Sequence, residues 1–324
     1  MPLPPQLQRA IEQETGRHPP KALSQAAAEL SAAYRAEQPG GAFITSELHR
    51  LAYAAVRLPA TFAAVHAVFA EVRRRWPDLT VANLLDLGAG PGTAAWAAGE
   101  IFGELESFTL VEADAGLIAL GKALARAGEH HLLEQARWAQ GDLRALPAFA
   151  PCDLVVSSYA LGELGEEAAS AVLRAAWAVT VQVLVVVEPG TVRGFALIRR
   201  LRDELIATGA HLIAPCPHQE ECPLPAGDWC HFSQRLERSR LHQRLKEGAL
   251  GYEDEKFSYV AVARHLLQPA PARILRHPLR HAGHAELQLC TPTGLQTLTV
   301  TRSDKERWKE ARKAEWGDEW RGGA

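Results

Sequence analysis

The stretch LLDLGAGPGT, residues 84–93, decides the fold. A short apolar run leads directly into three glycines at alternate positions, Gly88, Gly90 and Gly92, and a helix-forming segment follows. Glycine lets the backbone turn sharply and approach a ligand closely, and a glycine loop between a buried strand and a helix is a common ligand site in α/β proteins. The stretch therefore predicts a strand, a ligand-binding loop and a helix, in that order.

The spacing of these glycines separates two classes of ligand. A dinucleotide fingerprint needs its third glycine one position later, where this chain has Thr93. The GxGxG spacing instead resembles that of class I methyltransferases, which predicts S-adenosylmethionine as the ligand. Asp86 stands just before the loop, where such folds commonly use an acidic side chain to orient the amino-acid end of the cofactor.

Two further carboxylates are candidate cofactor ligands. Glu112 ends the next predicted strand, 24 residues after Gly88, and a carboxylate there can accept hydrogen bonds from both ribose hydroxyls. Asp114 competes for that role, although its position predicts the N-cap of the following helix. Asp142 follows the third predicted strand, where class I methyltransferases often contact the adenine amino group. A plain turn is the alternative for Asp142.

The end of the fourth predicted strand is the candidate reaction centre. In class I methyltransferases this edge faces the methyl group and its acceptor, so Ser157, Ser158 and Tyr159 are candidates for lining it. Methyl transfer needs mainly an acceptor positioned in line with the sulfonium, with a proton sink where the acceptor requires one. The sequence names no base, and a cofactor pocket without turnover remains the alternative.

Short apolar runs alternate with helical patterns after residue 80, as in βαβ units around a parallel sheet. Strands are predicted at 83–88, 107–113, 136–142, 152–158 and 181–189, with helices that begin near Thr93, Asp114, Glu166 and Thr191. Helices at 23–35 and 46–76 precede the sheet, the second interrupted or kinked by Pro59, and Pro39, Gly40 and Gly41 separate the two.

A change in texture follows the last of these helices. An irregular segment rich in Pro and Cys, 214–232, leads to a basic helical stretch at 234–248 and a late strand of the sheet at 256–264. Two strands, 284–290 and 295–301, and a charged helix, 303–316, end the chain. The predicted architecture is an α/β Rossmann-like core at 81–207, an N-terminal helical region at 1–80, and a third part at 208–324. That third part combines a Cys-rich metal-binding insertion with a small β/α extension.

Composition excludes several function classes. The 324 residues are 47% hydrophobic and 23% charged, which is ordinary for a globular protein, and no apolar run reaches the roughly 20 residues of a membrane span. The first residues lack a signal or transit pattern, which predicts a cytoplasmic location without membrane contact.

Charge is distributed unevenly along the chain. Residues 1–190 hold 14 Lys/Arg against 21 Asp/Glu, whereas 191–324 hold 21 against 17. A basic C-terminal part suggests a polyanion such as RNA, with a solvated surface as the alternative.

Three cysteines lie within 15 residues of one another, and a fourth is remote. Cys216, Cys222 and Cys230 have the spacing C-x5-C-x7-C in the irregular segment, and Cys290 ends a late predicted strand. Four thiolates suit either a tetrahedral zinc ion or an iron–sulfur cluster, and the spacing does not decide between them. His218 or His231 could replace a thiolate in a zinc site. Cys152, within an apolar run, is predicted to be a buried small hydrophobe.

Several segments together resemble the methyltransferase-like proteins of the mitochondrial small ribosomal subunit and their bacterial relatives, the Rsm twenty-two type. The matching segments span most of the chain from about residue 50: RLPATFAAV, LLDLGAGPGTAAWAA, VVVEPGT, CPHQEECPL, DWCHFSQRLERS, GYEDEKFSYVA, HAELQLCTP and ARKAEWGDEW. The glycine loop is common to many methyltransferases, whereas DWCHFSQR and GYEDEKFSYVA are specific.

The resemblance implies a role in assembly of the small ribosomal subunit. It also implies a four-iron four-sulfur cluster on Cys216, Cys222, Cys230 and Cys290, and thereby favours iron–sulfur over zinc. The implied partner is the small subunit with its rRNA, not DNA, and the basic stretch offers candidate phosphate contacts: Arg235, Arg238, Arg240, Arg244 and Lys246. Whether the protein methylates rRNA, serves as a non-catalytic RNA-binding assembly factor, or methylates a small molecule beside a structural zinc stays open.

Overall fold

A computed structural model describes residues 2–36, 43–246 and 250–323. The helices are α1 (Pro5–Thr15), α2 (Pro20–Arg35), α3 (Glu47–Val56), α4 (Leu58–Arg75), α5 (Thr93–Ile101), α6 (Ala115–Ala127), α7 (His131–Glu134), α8 (Glu166–Val179), α9 (Val192–Ala207), α10 (Arg240–Lys246) and α11 (Lys305–Ala311). The strands of the main sheet are β1 (Asn83–Leu87), β2 (Ser107–Glu112), β3 (Arg137–Gln140), β4 (Cys152–Ser158), β5 (Thr180–Pro189), β6 (His211–Ala214), β7 (Phe232–Glu237) and β8 (Tyr252–Ala263). A second sheet contains β9 (Arg273–Ile274), β10 (Leu279–Arg280), β11 (His284–Thr291) and β12 (Gly294–Thr301).

The main sheet has the order β3-β2-β1-β4-β5-β8-β6, with β7 paired to β8 beyond that path. The first five strands pair in parallel, whereas β8 runs antiparallel to β5 and β6. The chain reverses its direction of winding between β1 and β4, so the carboxyl ends of these strands border the crevice where open α/β sheets bind ligands. This is a Rossmann-like α/β fold with a mixed sheet.

Strand β5 shows why the sheet is covered on both faces. Val183 and Val185 pack into the core on the side of α4 and α5, whereas Leu184 and Val186 pack against α8 and α9. Successive side chains of a strand point to opposite faces, so a continuous apolar run is what a strand between two helical layers requires. The five strands predicted between 83 and 189 and the predicted starts of α5, α6, α8 and α9 are confirmed to within one or two residues, whereas the late strand predicted at 256–264 begins four residues earlier, at Tyr252.

The N-terminal helices form one layer over the sheet. The helix predicted at 46–76 is interrupted beside Pro59, as expected, and is not one long kinked helix. Instead α3 ends at Val56 and α4 begins at Leu58 with Pro59 in its first turn, where a missing N–H costs no hydrogen bond. Helix α1 was missed by the sequence analysis. The predicted break at 39–41 lies outside the described residues.

Membrane-spanning potential is confined to one bent pair of helices. No single helix in the described ranges is long and apolar enough to cross a membrane, and only α3 with α4, bent by 47°, together meet that length and composition. In this structure most residues of that pair are buried against the sheet and its helices.

The predicted basic helix at 234–248 is wrong in its first part. Phe232–Glu237 forms β7 and pairs with β8, and the helix α10 (Arg240–Lys246) begins six residues later than predicted. Residues 247–248 of the prediction lie outside the described residues. Gln, Arg, Leu and Glu favour helices intrinsically, but pairing with β8 overrides that weak preference.

The sequence analysis also missed strand β6 (His211–Ala214). The sheet therefore takes strands from both sides of residue 207, and the division into parts at 80 and 207 stays a prediction.

A buried guanidinium joins the second sheet to the main one. Arg273, 2% exposed, donates to the carbonyls of Pro215 and Gly317, both at 2.9 Å, and forms an ion pair with Glu71 of α4 at 2.7 Å. A buried charge is tolerated only where pairing and hydrogen bonds replace its hydration. Arg273 therefore joins α4, the Cys-rich segment and the C-terminal strands.

We expect Arg273→Leu to lower the free energy of unfolding by about 3 kcal/mol. The substitution leaves two carbonyls without a donor and removes the buried partner of Glu71, although Arg74 still pairs with that carboxylate at 2.7 Å. Urea denaturation measures the effect. The exposed Arg9→Leu is the matched control and should change the free energy by less than about 0.5 kcal/mol. Equal stability of both variants would contradict the role given to Arg273.

Candidate functional site

The glycine loop lies at the carboxyl end of β1, and all three glycines have left-handed backbones. The φ angles of Gly88, Gly90 and Gly92 are 81°, 54° and 85°, a region that disfavours other residues. A Cβ on Gly88 would also lie 2.4 Å from Cβ of Ala160, in the segment after β4. The loop therefore needs glycine both for its conformation and for its contact with the end of β4.

Asp86 is fully buried beside this loop. Neither of its carboxylate oxygens has a hydrogen-bond partner among the described residues, and burial, with the nearby charge of Glu112, raises the pKa of Asp86 to about 8. An unpartnered buried carboxyl group is costly, and such groups concentrate at functional sites. A cationic ligand next to Asp86 would compensate for that cost.

Glu112 holds the loop from the end of β2. Its carboxylate accepts hydrogen bonds from the backbone N–H groups of Gly90 at 2.8 Å and Asp114 at 2.9 Å. Asp114 is the N-cap of α6, as predicted, and also forms a bidentate ion pair with Arg50 of α3, with donor–acceptor distances of 2.9–3.1 Å. Since Asp114 is committed to these partners, Glu112 is the better placed of the two carboxylates for a ligand.

Asp142 is exposed and its carboxylate has local partners. It caps a short 3₁₀ helix at Leu143–Ala145 by accepting from the N–H of Arg144 at 2.8 Å, and it also pairs with the Arg144 guanidinium at 3.2 Å. The Gly141–Asp142 pair thus makes a turn in this structure. The adenine contact assigned to Asp142 stays a prediction.

The three candidate residues after β4 have different surroundings. The buried Ser157 donates its hydroxyl to the carbonyl of Leu87 at 2.9 Å, which joins β4 to β1. Ser158 is also buried. Tyr159 has a φ of 55°, unusual for a bulky residue, and its hydroxyl donates to Glu255 at 3.0 Å. Strained backbone at such a position is often functional, yet none of these contacts identifies a base.

A polar cluster beside Tyr159 was missed by the sequence analysis. Glu255 of β8 accepts from both Tyr159 and Arg57, the latter at 3.3 Å, and the Arg57 guanidinium lies 5.0 Å from the ring centre of Tyr34. Tyr53 of α3 is close to the glycine loop, since a Cβ on Gly90 would lie 4.0 Å from the Tyr53 hydroxyl oxygen. Glu255 lies between Asp254 and Lys256 in the charged half of β8, so no local pattern distinguished it from its neighbours.

The structure brings all four predicted metal-binding cysteines to one cavity. Cys216, Cys222, Cys230 and Cys290 line it together with His218. Burial raises the pKa of the Cys290 thiol to about 12, and Cys216 and Cys222 are close enough to add to that effect. Cys152 lies elsewhere, buried in β4 as predicted.

Arginines and hydrogen bonds hold the Cys-rich segment against α9 and β8. Arg202 donates to the carbonyls of His218 at 3.0 Å and Glu220 at 2.7 Å, and Arg199 donates to the carbonyl of Cys222 at 3.3 Å. The Ser258 hydroxyl of β8 donates to the carbonyl of Cys230 at 2.7 Å. An irregular segment without its own secondary structure is thus positioned by side chains from regular elements.

The two candidate histidines differ. His218 Nε2 lies 3.5 Å from Cys290 Sγ inside the cavity, so His218 remains a possible ligand there. His231 instead packs between Trp229 and Trp316, with ring centres 5.1 and 4.5 Å away. In the described ranges, only one group of three His, Cys, Asp or Glu side chains has all its ligand atoms within 4.8 Å of one another, and it contains no cysteine. No three of the four cysteine sulfurs therefore lie that close together.

Most of the predicted phosphate contacts are already paired with carboxylates. Arg235 pairs with Asp254 at 2.8 Å, and Arg238 and Lys246 share Glu253 at 2.9 and 3.0 Å. Arg240 and Arg244 are exposed. A second group of cations on α11 and the turn after it is exposed and has no ion pair within the described part of the chain: Lys305, Lys309, Arg312 and Lys313.

Comparisons with known proteins show which sequences this chain resembles. It is 32% identical over 289 residues to the human mitochondrial ribosome assembly protein METTL17, covering 83% of this chain and 61% of that protein. It is 26% identical over 329 residues to the fission yeast Rsm22-cox11 tandem protein 2, mitochondrial, covering 83% and 42%. The chain thus spans about half the length of these curated relatives.

Among solved structures, the chain is similar to the magnesium protoporphyrin IX methyltransferase of Synechocystis, solved with bound S-adenosylmethionine. The two are 14% identical, the match covers 64% of this chain and 80% of that chain, and the TM-score is 0.42.

The curated relatives named above are mitochondrial proteins, and this finding overturns the predicted cytoplasmic location.

The family model described as mitochondrial small ribosomal subunit Rsm22 matches residues 47–321, most of the chain, from α3 to the last turn. That span includes the glycine loop, the polar cluster around Glu255 and all four cysteines that line the cavity. The predicted resemblance is confirmed: this chain belongs to the Rsm22 family.

Proposed function

We propose that this protein is a methyltransferase-like assembly protein of the small ribosomal subunit that binds S-adenosylmethionine at the glycine loop. The observation that carries the proposal is the loop itself: three left-handed glycines at the carboxyl end of β1, anchored by Glu112 and adjoining the unpartnered carboxyl group of Asp86. Membership of the Rsm22 family and the names of the curated relatives supply the ribosomal partner.

The chemistry of the loop fits this cofactor. S-adenosylmethionine carries a sulfonium and an ammonium group, and Asp86 is a buried carboxyl group in need of a cationic neighbour. Glu112 stands at the end of β2, where a carboxylate can accept from both ribose hydroxyls. Gly88 and Gly92 leave the backbone free to approach the ligand.

We propose a four-iron four-sulfur cluster for the cysteine cavity. Four thiolates at about 2.3 Å from one zinc ion would lie about 3.8 Å from one another, whereas a cluster gives each thiolate its own iron and so holds the sulfurs farther apart. The four thiols that line one cavity supply the one ligand per iron that such a cluster needs. Its role is structural: it ties Cys290 to a segment about 60 residues earlier in the chain, so that metal binding supplies folding free energy.

We propose that rRNA contacts the C-terminal part of the chain. Cations without a carboxylate partner among the described residues are available for phosphates, and six of them lie on α10, on α11 and on the turn after α11: Arg240, Arg244, Lys305, Lys309, Arg312 and Lys313. The paired Arg235, Arg238 and Lys246 contribute less, because they are neutralised within the protein.

A specific observation favours a non-catalytic assembly factor as the second candidate. The hydroxyls of Ser157 and Tyr159 are already engaged by Leu87 and Glu255, so the edge that would face an acceptor has no side chain identified as a free base. Labelled S-adenosylmethionine and immature small subunits separate the candidates. Label in rRNA supports the enzyme, whereas tight binding of particles without label supports the factor.

We expect Glu112→Ala to weaken binding of S-adenosylmethionine by about 10- to 100-fold, since two charge-assisted hydrogen bonds to the ribose are lost. Isothermal titration calorimetry measures this. Glu106→Ala is the matched control, because Glu106 is exposed at the other end of β2, and its affinity should equal that of the wild type. A Glu112→Ala variant that binds normally would contradict the cofactor site.

We expect Cys222→Ser to make the Cys-rich segment and the C-terminal strands sensitive to protease while S-adenosylmethionine binding persists. One of four thiolates is lost, and with it the link between that segment and β11. Limited proteolysis, with iron and sulfide analysis after anaerobic purification, measures both effects. Cys152→Ser, outside the cavity, should keep its iron. Equal iron and an unchanged digestion pattern in Cys222→Ser would count against the cluster.

We expect the triple variant Lys305→Ala, Lys309→Ala, Arg312→Ala to bind small-subunit rRNA more weakly and with a shallower dependence on salt. Each lost phosphate contact reduces the slope of log K against log[salt] by about 0.7 to 0.9. Fluorescence anisotropy at several salt concentrations gives that slope. The control replaces three exposed cations in the N-terminal half, Arg9, Lys21 and Lys122, by alanine. An equal loss in both variants would mean that only net charge matters.

A further inference from the structure

The solvent-facing side of the second sheet carries three potential metal ligands. Strands β10 and β11 pair antiparallel with Leu279 opposite Glu286, and the hairpin is closed by the N–H of His281, which donates to the carbonyl of His284 at 2.9 Å. Because side chains alternate along a strand, this register places His281, His284 and Glu286 on one face. Leu287 points the other way and is fully buried.

The three side chains are close enough to share one ion. Their ligand atoms all lie within 4.8 Å of one another, and His284 Nε2 is 3.5 Å from Glu286 Oε1. Nitrogen and oxygen ligands at about 2.0–2.1 Å from a tetrahedral ion stand about 3.3 Å apart. His284 Nε2 and Glu286 Oε1 already have nearly that spacing. The two imidazoles are stacked with ring centres 4.4 Å apart. His281 is exposed at the end of this hairpin.

We propose that His281, His284 and Glu286 bind a divalent transition-metal ion such as zinc, separately from the cysteine cavity. Two imidazole nitrogens with one carboxylate are the ligands that zinc, nickel and copper accept, whereas magnesium and calcium prefer oxygen alone. Three protein ligands leave at least one coordination position open to water or an outer ligand. The proposal does not depend on the cofactor or the cluster.

Two features of the structure favour this site. Strand β11 pairs with β12 along its whole length, from His284 opposite Thr301 to Thr291 opposite Gly294, so two of the ligands stand on a rigid strand. Within the described ranges, Glu286 has no cationic partner besides His284, and a metal ion would not have to displace an arginine or lysine.

Cobalt(II) titration of the full 324-residue chain, purified anaerobically, tests the proposal, because cobalt(II) replaces zinc and reports its ligands by absorption. We expect one equivalent of cobalt(II) to bind with d–d absorption bands and without thiolate-to-metal charge transfer. Added zinc should displace this cobalt. In His284→Ala, the affinity of this equivalent should fall by about tenfold or more, since one of three protein ligands is lost.

The matched control is His131→Ala. His131 is also exposed and lies 3.9 Å from a carboxylate oxygen of Glu134, but it has no third ligand nearby among the residues with assigned positions. Its cobalt affinity should equal that of the wild type. The proposal is overturned if His284→Ala binds the ion as tightly as the wild type. It is also overturned if the only bound cobalt shows thiolate charge transfer that disappears in Cys222→Ser.

Discussion

One buried guanidinium organises the C-terminal half of this protein. Arg273 lies opposite Cys290 in the pairing of β9 with β11, and it donates to the carbonyl of Pro215, the residue before Cys216. Its ion pair with Glu71 anchors the same group to α4. Because a buried charge must keep all of these partners, the remote cysteine and the first local cysteine are held on the same side of the sheet.

Strand β8 contributes to the polar cluster near the glycine loop and to the cysteine cavity, and helix α9 contributes to the cavity. Strand β8 contributes Glu255 to the polar cluster near the loop and, three residues later, Ser258, whose hydroxyl binds the carbonyl of Cys230. Helix α9 follows β5 and sends Arg199 and Arg202 to the Cys-rich segment. The two sites are therefore joined through β8, by the stretch from Glu255 to Ser258.

Local patterns predicted the elements whose neighbours agree with their own preferences. The apolar run of β5 and the glycine loop after β1 were predicted because burial on both faces and left-handed backbone each demand a particular residue type. Strand β7 was predicted as a helix, since Gln234, Arg235 and Leu236 favour helices and only the pairing with β8 makes them a strand. The polar cluster of Arg57, Tyr159 and Glu255 went unnoticed because its members are far apart in sequence.

The sequence alone determined the Rossmann-like core and the membership of the Rsm22 family, because each depends on residue type at short spacing. Only the tertiary structure decided that Cys290 meets Cys216, Cys222 and Cys230 at one cavity, and which cations stay without carboxylate partners. Those outcomes depend on contacts across 60 residues or more, or between paired strands, and no local pattern records them.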